Sequence, residues 1–185
     1  MTNSAIFKHT TRMLSAIFMA VVISACSSTQ SSAPVVKVIN QQPDYSYYQS
    51  IDTACEQQAI EMDGYAQRSG QPAQYLASAK AMLRCVNGIQ FPKGHPDTDK
   101  GLRLMALSVM NFVKGGDINA ASVALRKTQS TFPDRDLYFA DYSSFMDTAK
   151  ALLNQQKMSR QQLAALNISP DLRAEIERNQ YWLRH

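Results

Sequence analysis

The chain has 185 residues, enough for one domain of ordinary size. With 45% apolar and 18% charged residues it can bury a core, and seven Gly and seven Pro are too few for a loop-dominated all-β protein or a low-complexity polymer. The formal charge of +4 includes Lys8 and Arg12 of a leader that is expected to be removed; the remaining 17 bases against 15 acids give no electrostatic case for nucleic acid as a partner.

Met1 to Arg12 carries Lys8, His9 and Arg12 and no acid, and is followed by an apolar run from Met13 to Ile23. A basic start, 11 apolar or small residues and a small-residue cut describe a secretory signal peptide over 1–25. The run is shorter than the roughly 18 residues that a spanning helix needs. Ile23-Ser24-Ala25-Cys26 resembles the lipobox of bacterial lipoproteins. The resemblance implies that Cys26 is lipidated and becomes the mature N-terminus, with acyl chains that make membrane anchoring stable. Ser27 stands where an inner-membrane retention signal would usually show Asp, so the resemblance favours the outer membrane, with the protein facing the periplasm. Residues 26–43 then have tether composition, and the 17 residues from Ser27 to Pro43 would average roughly 20–25 Å end to end as a coil.

Residues 44–185 read as an α-helical domain. Removing Cys26 leaves Cys55 and Cys85, an even pair in an oxidising compartment. Asp44 to Ser69 reads as one helix, with Tyr48, Ile51, Cys55, Ala59, Met62 and Ala66 at spacings of three and four. Gly70-Gln71-Pro72 breaks it, and a second helix runs from Pro72 to about Asn87. Each cysteine lies 15 residues from Gly70, so an antiparallel hairpin turning there sets them at one height and predicts a structural disulfide. The same arithmetic sets Glu56 opposite Arg84 and Glu61 near Lys80. No CxxC or clustered His suggests redox or metal chemistry.

Residues 89–96 read as a loop. Asp97 or Thr98 then caps a helix to about Lys114 that is apolar almost all round and so predicted to be the buried centre. Gly115-Gly116 ends it, and Asp117 caps the next helix, which carries Ile118, Ala121, Leu125 and Thr128. A further helix is predicted from Asp134 to about Gln156, and Ser159 and Ser169-Pro170 open two more, ending near Arg184. The predicted fold is all-α, an irregular stack of antiparallel helical hairpins with one disulfide. Met105 to Pro133 resembles one tetratricopeptide repeat, with Phe112, Gly116, Ala121, Leu125 and Pro133 at matching positions and Ser108, Val109 and Thr128 departing from the pattern. A generic helical hairpin explains the same letters. If the resemblance holds, it implies a helical stack with a concave face that binds extended peptides or helices.

Chemistry-bearing patterns are scarce. The mature chain has His95 and His185 only, and no HExxH, GxSxG, Walker A or GxGxxG sequence. Close acid pairs such as Asp97/Asp99 and Asp134/Asp136 sit at expected helix starts, where carboxylates complement the dipole. No catalytic, cofactor-binding or metal-binding residue is therefore expected. Tyr138, Tyr142 and Phe145 share one face of the predicted 134–156 helix and form a candidate partner surface, although such a stripe also suits a core. Tyr181-Trp182 is expected to pin the last helix to the body, and Arg173, Arg178 and Arg184 to lie on a solvated face. The sequence thus suggests a lipid-anchored, non-catalytic binding or assembly module, similar in plan to tetratricopeptide adaptors or pilotins, for another envelope protein. Its alternatives are a passive structural lipoprotein and a cofactor-independent cell-wall enzyme.

Overall fold

The break at Gly70-Gln71-Pro72 separates α1 (Thr53–Ser69) from α2 (Pro72–Cys85) in a computed structural model that describes residues 48–185. Gly70 takes φ +64°, a left-handed conformation that glycine adopts without a Cβ penalty, and its N–H closes the helix on Ala66 O. Pro72 suits the first turn of α2, where no intrahelical N–H is needed. Cys55 and Cys85 are bonded, with Cα atoms 5.6 Å apart, as the symmetric placement about Gly70 predicts. The leader, Cys26, the tether and the predicted helical residues 44–47 lie outside the described residues.

α1 starts later than the periodicity suggests. Asp52 is its N-cap and accepts from Cys55 N at 2.7 Å, while Ile51 is buried and donates its N–H to Asp97 Oδ2 at 3.0 Å. Those two side-chain acceptors hold the chain ahead of Thr53 in a non-helical path, and a carboxylate cap outcompetes helix propagation there. Glu56 pairs with Lys100 at 3.2 Å, and neither Glu56–Arg84 nor Glu61–Lys80 is among the ion pairs of the described residues.

α3 (Thr98–Lys114) packs against α2, α4 (Ile118–Thr131) and α5 (Phe145–Asn154), which makes it the central helix of the described residues. Leu102, Leu104, Met105, Ala106, Val109 and Phe112 are all buried, whereas Leu107 is exposed. Gly116, at φ +82°, allows the turn into α4, whose first turn is capped by Asp117 Oδ1 accepting from Ala120 N at 2.9 Å. α4 buries Ala121, Ala124, Leu125 and Thr128 but leaves Ile118 exposed. A polar knot ties the first three helices: Asn111 Nδ2 of α3 donates to Asp63 Oδ1 of α1 and to Ser78 Oγ of α2, at 2.7 and 3.2 Å. All three residues are buried, and Gln67 Nε2 donates to the second Asp63 oxygen at 2.5 Å.

The predicted helix from Asp134 to Gln156 is not one helix. Residues 132–144 are loop and α5 is confined to Phe145–Asn154. Asp136 prevents helix formation locally by accepting from Leu137 N at 2.8 Å and from Met146 N at 3.1 Å, and Ser144 is the N-cap that starts α5. α6 (Arg160–Ala164) and α7 (Pro170–Trp182) begin at Ser159 and Ser169 as expected, Ser159 completing a capping box with Gln162. They enclose a small second core of Ala151, Leu163, Ile168 and Ile176. Two expectations for α7 are corrected. Arg173 does not lie on a solvated face; its guanidinium donates to Leu163 O and Leu166 O at 2.7 and 2.9 Å, holding the carbonyl end of α6. Tyr181 and Trp182 are exposed, and buried Gln180 docks the helix instead, through Met158 O at 3.0 Å and Gln155 O. The fold is all-α, with helices packed on their chain neighbours and one disulfide; among the described residues there is no strand, and none of their helices is long and apolar enough to cross a membrane.

Candidate partner-binding surface

The loop that replaces the predicted helix carries the exposed aromatics. Tyr138 and Ser144 form an isolated antiparallel bridge, Phe139 N donates to Ser143 O at 3.0 Å and Tyr142 N donates to Phe139 O at 2.9 Å, so residues 138–144 make a tight hairpin. Its tip is braced from below. Asp141 Oδ1 accepts from Ser143 N and Oγ at 3.0 and 2.6 Å, while Asp136 accepts from Ser144 Oγ. The Asp141 carboxyl is held below the usual carboxylate range by the Ser143 hydroxyl and then by the Ser143 amide, against a smaller opposing effect of desolvation.

Asn167, in the α6–α7 linker, clamps the hairpin to the second core. Its side-chain amide donates to Tyr142 O at 3.0 Å, its N–H donates to Asp147 Oδ2 at 2.9 Å, and its carbonyl accepts from Ser144 N at 2.8 Å. Tyr142 itself sits at φ +61°, alone among the described non-glycine residues in that region. A left-handed conformation costs a bulky L-residue roughly 1–2 kcal/mol. The ring it presents is 81% exposed, and Tyr138 is 66% exposed.

The sequence-predicted triad is therefore split. Tyr138 and Tyr142 belong to one braced hairpin, but Phe145 is 2% exposed and lies in the main core as the first residue of α5, its N–H donating to Leu137 O at 2.8 Å. The three do not share a helical face, because the turn at 138–144 separates them. Phe139 joins the two tyrosines as an exposed ring on the same hairpin. The sequence did carry a signal: Ser144 followed three residues later by Asp147 is an N-cap pattern, and Asp147 N donates to Ser144 Oγ at 3.0 Å.

A separate concavity of about 490 Å³ lies between the 91–99 and 131–135 segments. Its apolar floor is built on a close approach: Phe91 and Phe132 rings are 5.1 Å apart at their centroids, and a Cβ on Gly101 would come within 2.6–2.8 Å of the Phe91 ring. His95 is buried beside it, its Nδ1 accepting from Asp97 N at 3.1 Å and its ring edge-on to Phe91 and Tyr48. Asp99 at the rim is bound by the Arg135 guanidinium. Among the described residues, no group of three or more His, Cys, Asp or Glu could hold a metal.

Comparison of this chain with protein-family models, curated proteins and solved structures finds no significant match.

Proposed function

We propose that this chain is a lipid-anchored envelope protein, held through Cys26 at the outer membrane, that acts as a non-catalytic binding or assembly module for another envelope protein. The observation that carries the reading is the hairpin 138–144: two exposed tyrosines and a phenylalanine on a backbone braced by Asp141, Ser143, Ser144 and Asn167. A rigid loop that holds large amphipathic rings in water, at the cost of a strained Tyr142, is organised for contact with something outside the chain. Residues 134–147 carry four Asp and one Arg, so the partner surface that suits it offers positive charge beside apolar groups.

The repeat-like pattern from Met105 to Pro133 supports the same reading, since Phe112, Ala121 and Leu125 are buried where α3 meets α4 and Gly116 turns between them. In this reading the stack is a scaffold of tetratricopeptide type, and the hairpin is its docking element.

The test has two parts. Purified protein should retain a defined envelope protein, and a Tyr138→Ala/Tyr142→Ala variant should lose it while keeping its helical circular dichroism and melting transition. Mass spectrometry of the mature protein should show acylated Cys26, and a Cys26→Ser variant should leave the membrane fraction. Retention of the partner by the double variant contradicts the docking role, and an unmodified Cys26 contradicts the anchor.

A further inference from the structure

The last turn of α7 carries a second exposed aromatic cluster. Tyr181, Trp182 and Leu183 are consecutive and 54, 69 and 67% exposed, with the Tyr181 ring 5.4 Å from Trp182 and 4.6 Å from His185. Beside Trp182 and Leu183 opens a groove of about 330 Å³ walled by the neutral amides of Gln155, Gln156, Asn179 and Gln180. Charge around the cluster is balanced: Arg178 pairs with Glu175 across a solvated turn, and Arg184 and Glu177 are exposed. Tyrosine and tryptophan with a neighbouring leucine, neutral amides and flanking arginines form the composition that settles in the headgroup zone of a bilayer, where one side of each ring is apolar and the other wet. Near-neutral charge makes apolar insertion the driving term there.

Chain length places a bilayer within reach. The 21 residues from Ser27 to Tyr47 separate Cys26 from the described domain. Twenty-one residues can span at most about 70 Å. A domain of this size has a radius of gyration of about 14 Å, so any face of it can meet the membrane that holds the anchor. Tethering raises the local concentration of bilayer enough that weak partitioning suffices.

We propose that Tyr181, Trp182 and Leu183 insert into the interfacial zone of the phospholipid bilayer that carries the lipidated Cys26, fixing which face of the domain turns toward the periplasm. The inference rests on the anchor reading. Insertion of the α7 end against the bilayer gives the domain a second attachment and so a defined orientation.

Trp182 is the sole tryptophan of the chain, so its fluorescence reports this cluster alone. The mature protein is reconstituted into phosphatidylethanolamine/phosphatidylglycerol vesicles, with and without lipids brominated near the headgroup. The expected result is a blue-shifted emission quenched by the brominated lipids and insensitive to added salt. A Tyr181→Ala/Leu183→Ala variant keeps the reporter and should partition about tenfold less. Protein that floats with the vesicles but emits as in water, unquenched, overturns the inference and leaves the anchor standing. Failure to float, with Cys26 unmodified, overturns both. A blue shift that grows with protein concentration in the absence of vesicles assigns the cluster to a second copy of the chain and overturns the bilayer assignment.

Discussion

Asn111 and Asp63 lie 48 residues apart in sequence and meet through one hydrogen bond of 2.7 Å in the middle of the first three helices. With Ser78 Oγ also accepting from Asn111 Nδ2, a single side-chain amide fixes the register of α1, α2 and α3. Asn111→Leu removes the donor and leaves a buried carboxylate and hydroxyl without it. The expected loss is about 1–3 kcal/mol in urea denaturation, the range for leaving a buried polar group without its partner. An Asp63→Leu/Asn111→Leu variant should lose less than the sum of the two single variants, because it removes both ends of the contact.

The Cys55–Cys85 bridge closes a sequence separation of 30 residues. In the chain-entropy account a loop of this size stabilises by about 3–4 kcal/mol. Reduction, or the Cys55→Ala/Cys85→Ala variant, should lower the unfolding free energy from urea denaturation by that amount, moving the midpoint to lower urea, with the helical content of the folded state unchanged.

Much of this fold is legible in the residues because its punctuation is strong. Gly70-Gln71-Pro72, Gly115-Gly116, Ser159 and Ser169-Pro170 mark ends and starts by backbone chemistry that tertiary context does not override, and the cysteines follow from symmetry about Gly70. The two misplaced helix boundaries share a cause. From Asp134 to Ser144 aromatic residues recur at helical spacing, yet Asp136, Asp141, Ser143 and Ser144 turn their side chains back onto the chain and outcompete the helix. Asp52 does the same ahead of α1. The Asp63–Ser78–Asn111 knot is invisible in one dimension because polar letters on a helix read as its solvent face. Of the three candidate residues, Tyr138 and Tyr142 are exposed, for a reason other than the one the spacing suggested, and Phe145 is in the core.

If the hairpin is the docking element proposed above, Tyr142 links stability to partner capture. Tyr142→Gly relieves the left-handed backbone of a bulky residue, and should raise stability by about 1 kcal/mol in chemical denaturation despite the entropy that glycine adds to the unfolded chain. The same variant removes an exposed ring and should weaken partner capture. A variant that is more stable and binds less well is the signature of strain held for contact.

Asp141 gives the hairpin a pH dependence. Its folded-state pKa is depressed, chiefly by the Ser143 hydroxyl and then the Ser143 amide, so its contribution is present above the ordinary aspartate value of about 4 and is lost as pH falls below it. Ser143→Ala should move the Asp141 titration, followed by carboxyl-detected NMR, up toward that ordinary value. The hairpin amides of Phe139 and Ser143 should lose dispersion in the same acidic window and stay unperturbed at neutral pH.

The aromatic floor near Gly101 is a packing constraint. A Cβ there would lie 2.6 and 2.8 Å from Phe91 ring atoms and 3.2 Å from the Phe132 ring. Gly101→Ala should cost about 1–3 kcal/mol, the range for overpacking, and the melting temperature gives the readout.

A photo-crosslinking amino acid placed at position 142 in intact cells addresses the docking role most directly, with position 123, where Val123 is exposed on α4, as its control. Position 142 should yield one discrete adduct with an envelope protein and position 123 none. Equal, diffuse labelling from both positions, or no adduct from 142 at any expression level, contradicts the hairpin as a binding element.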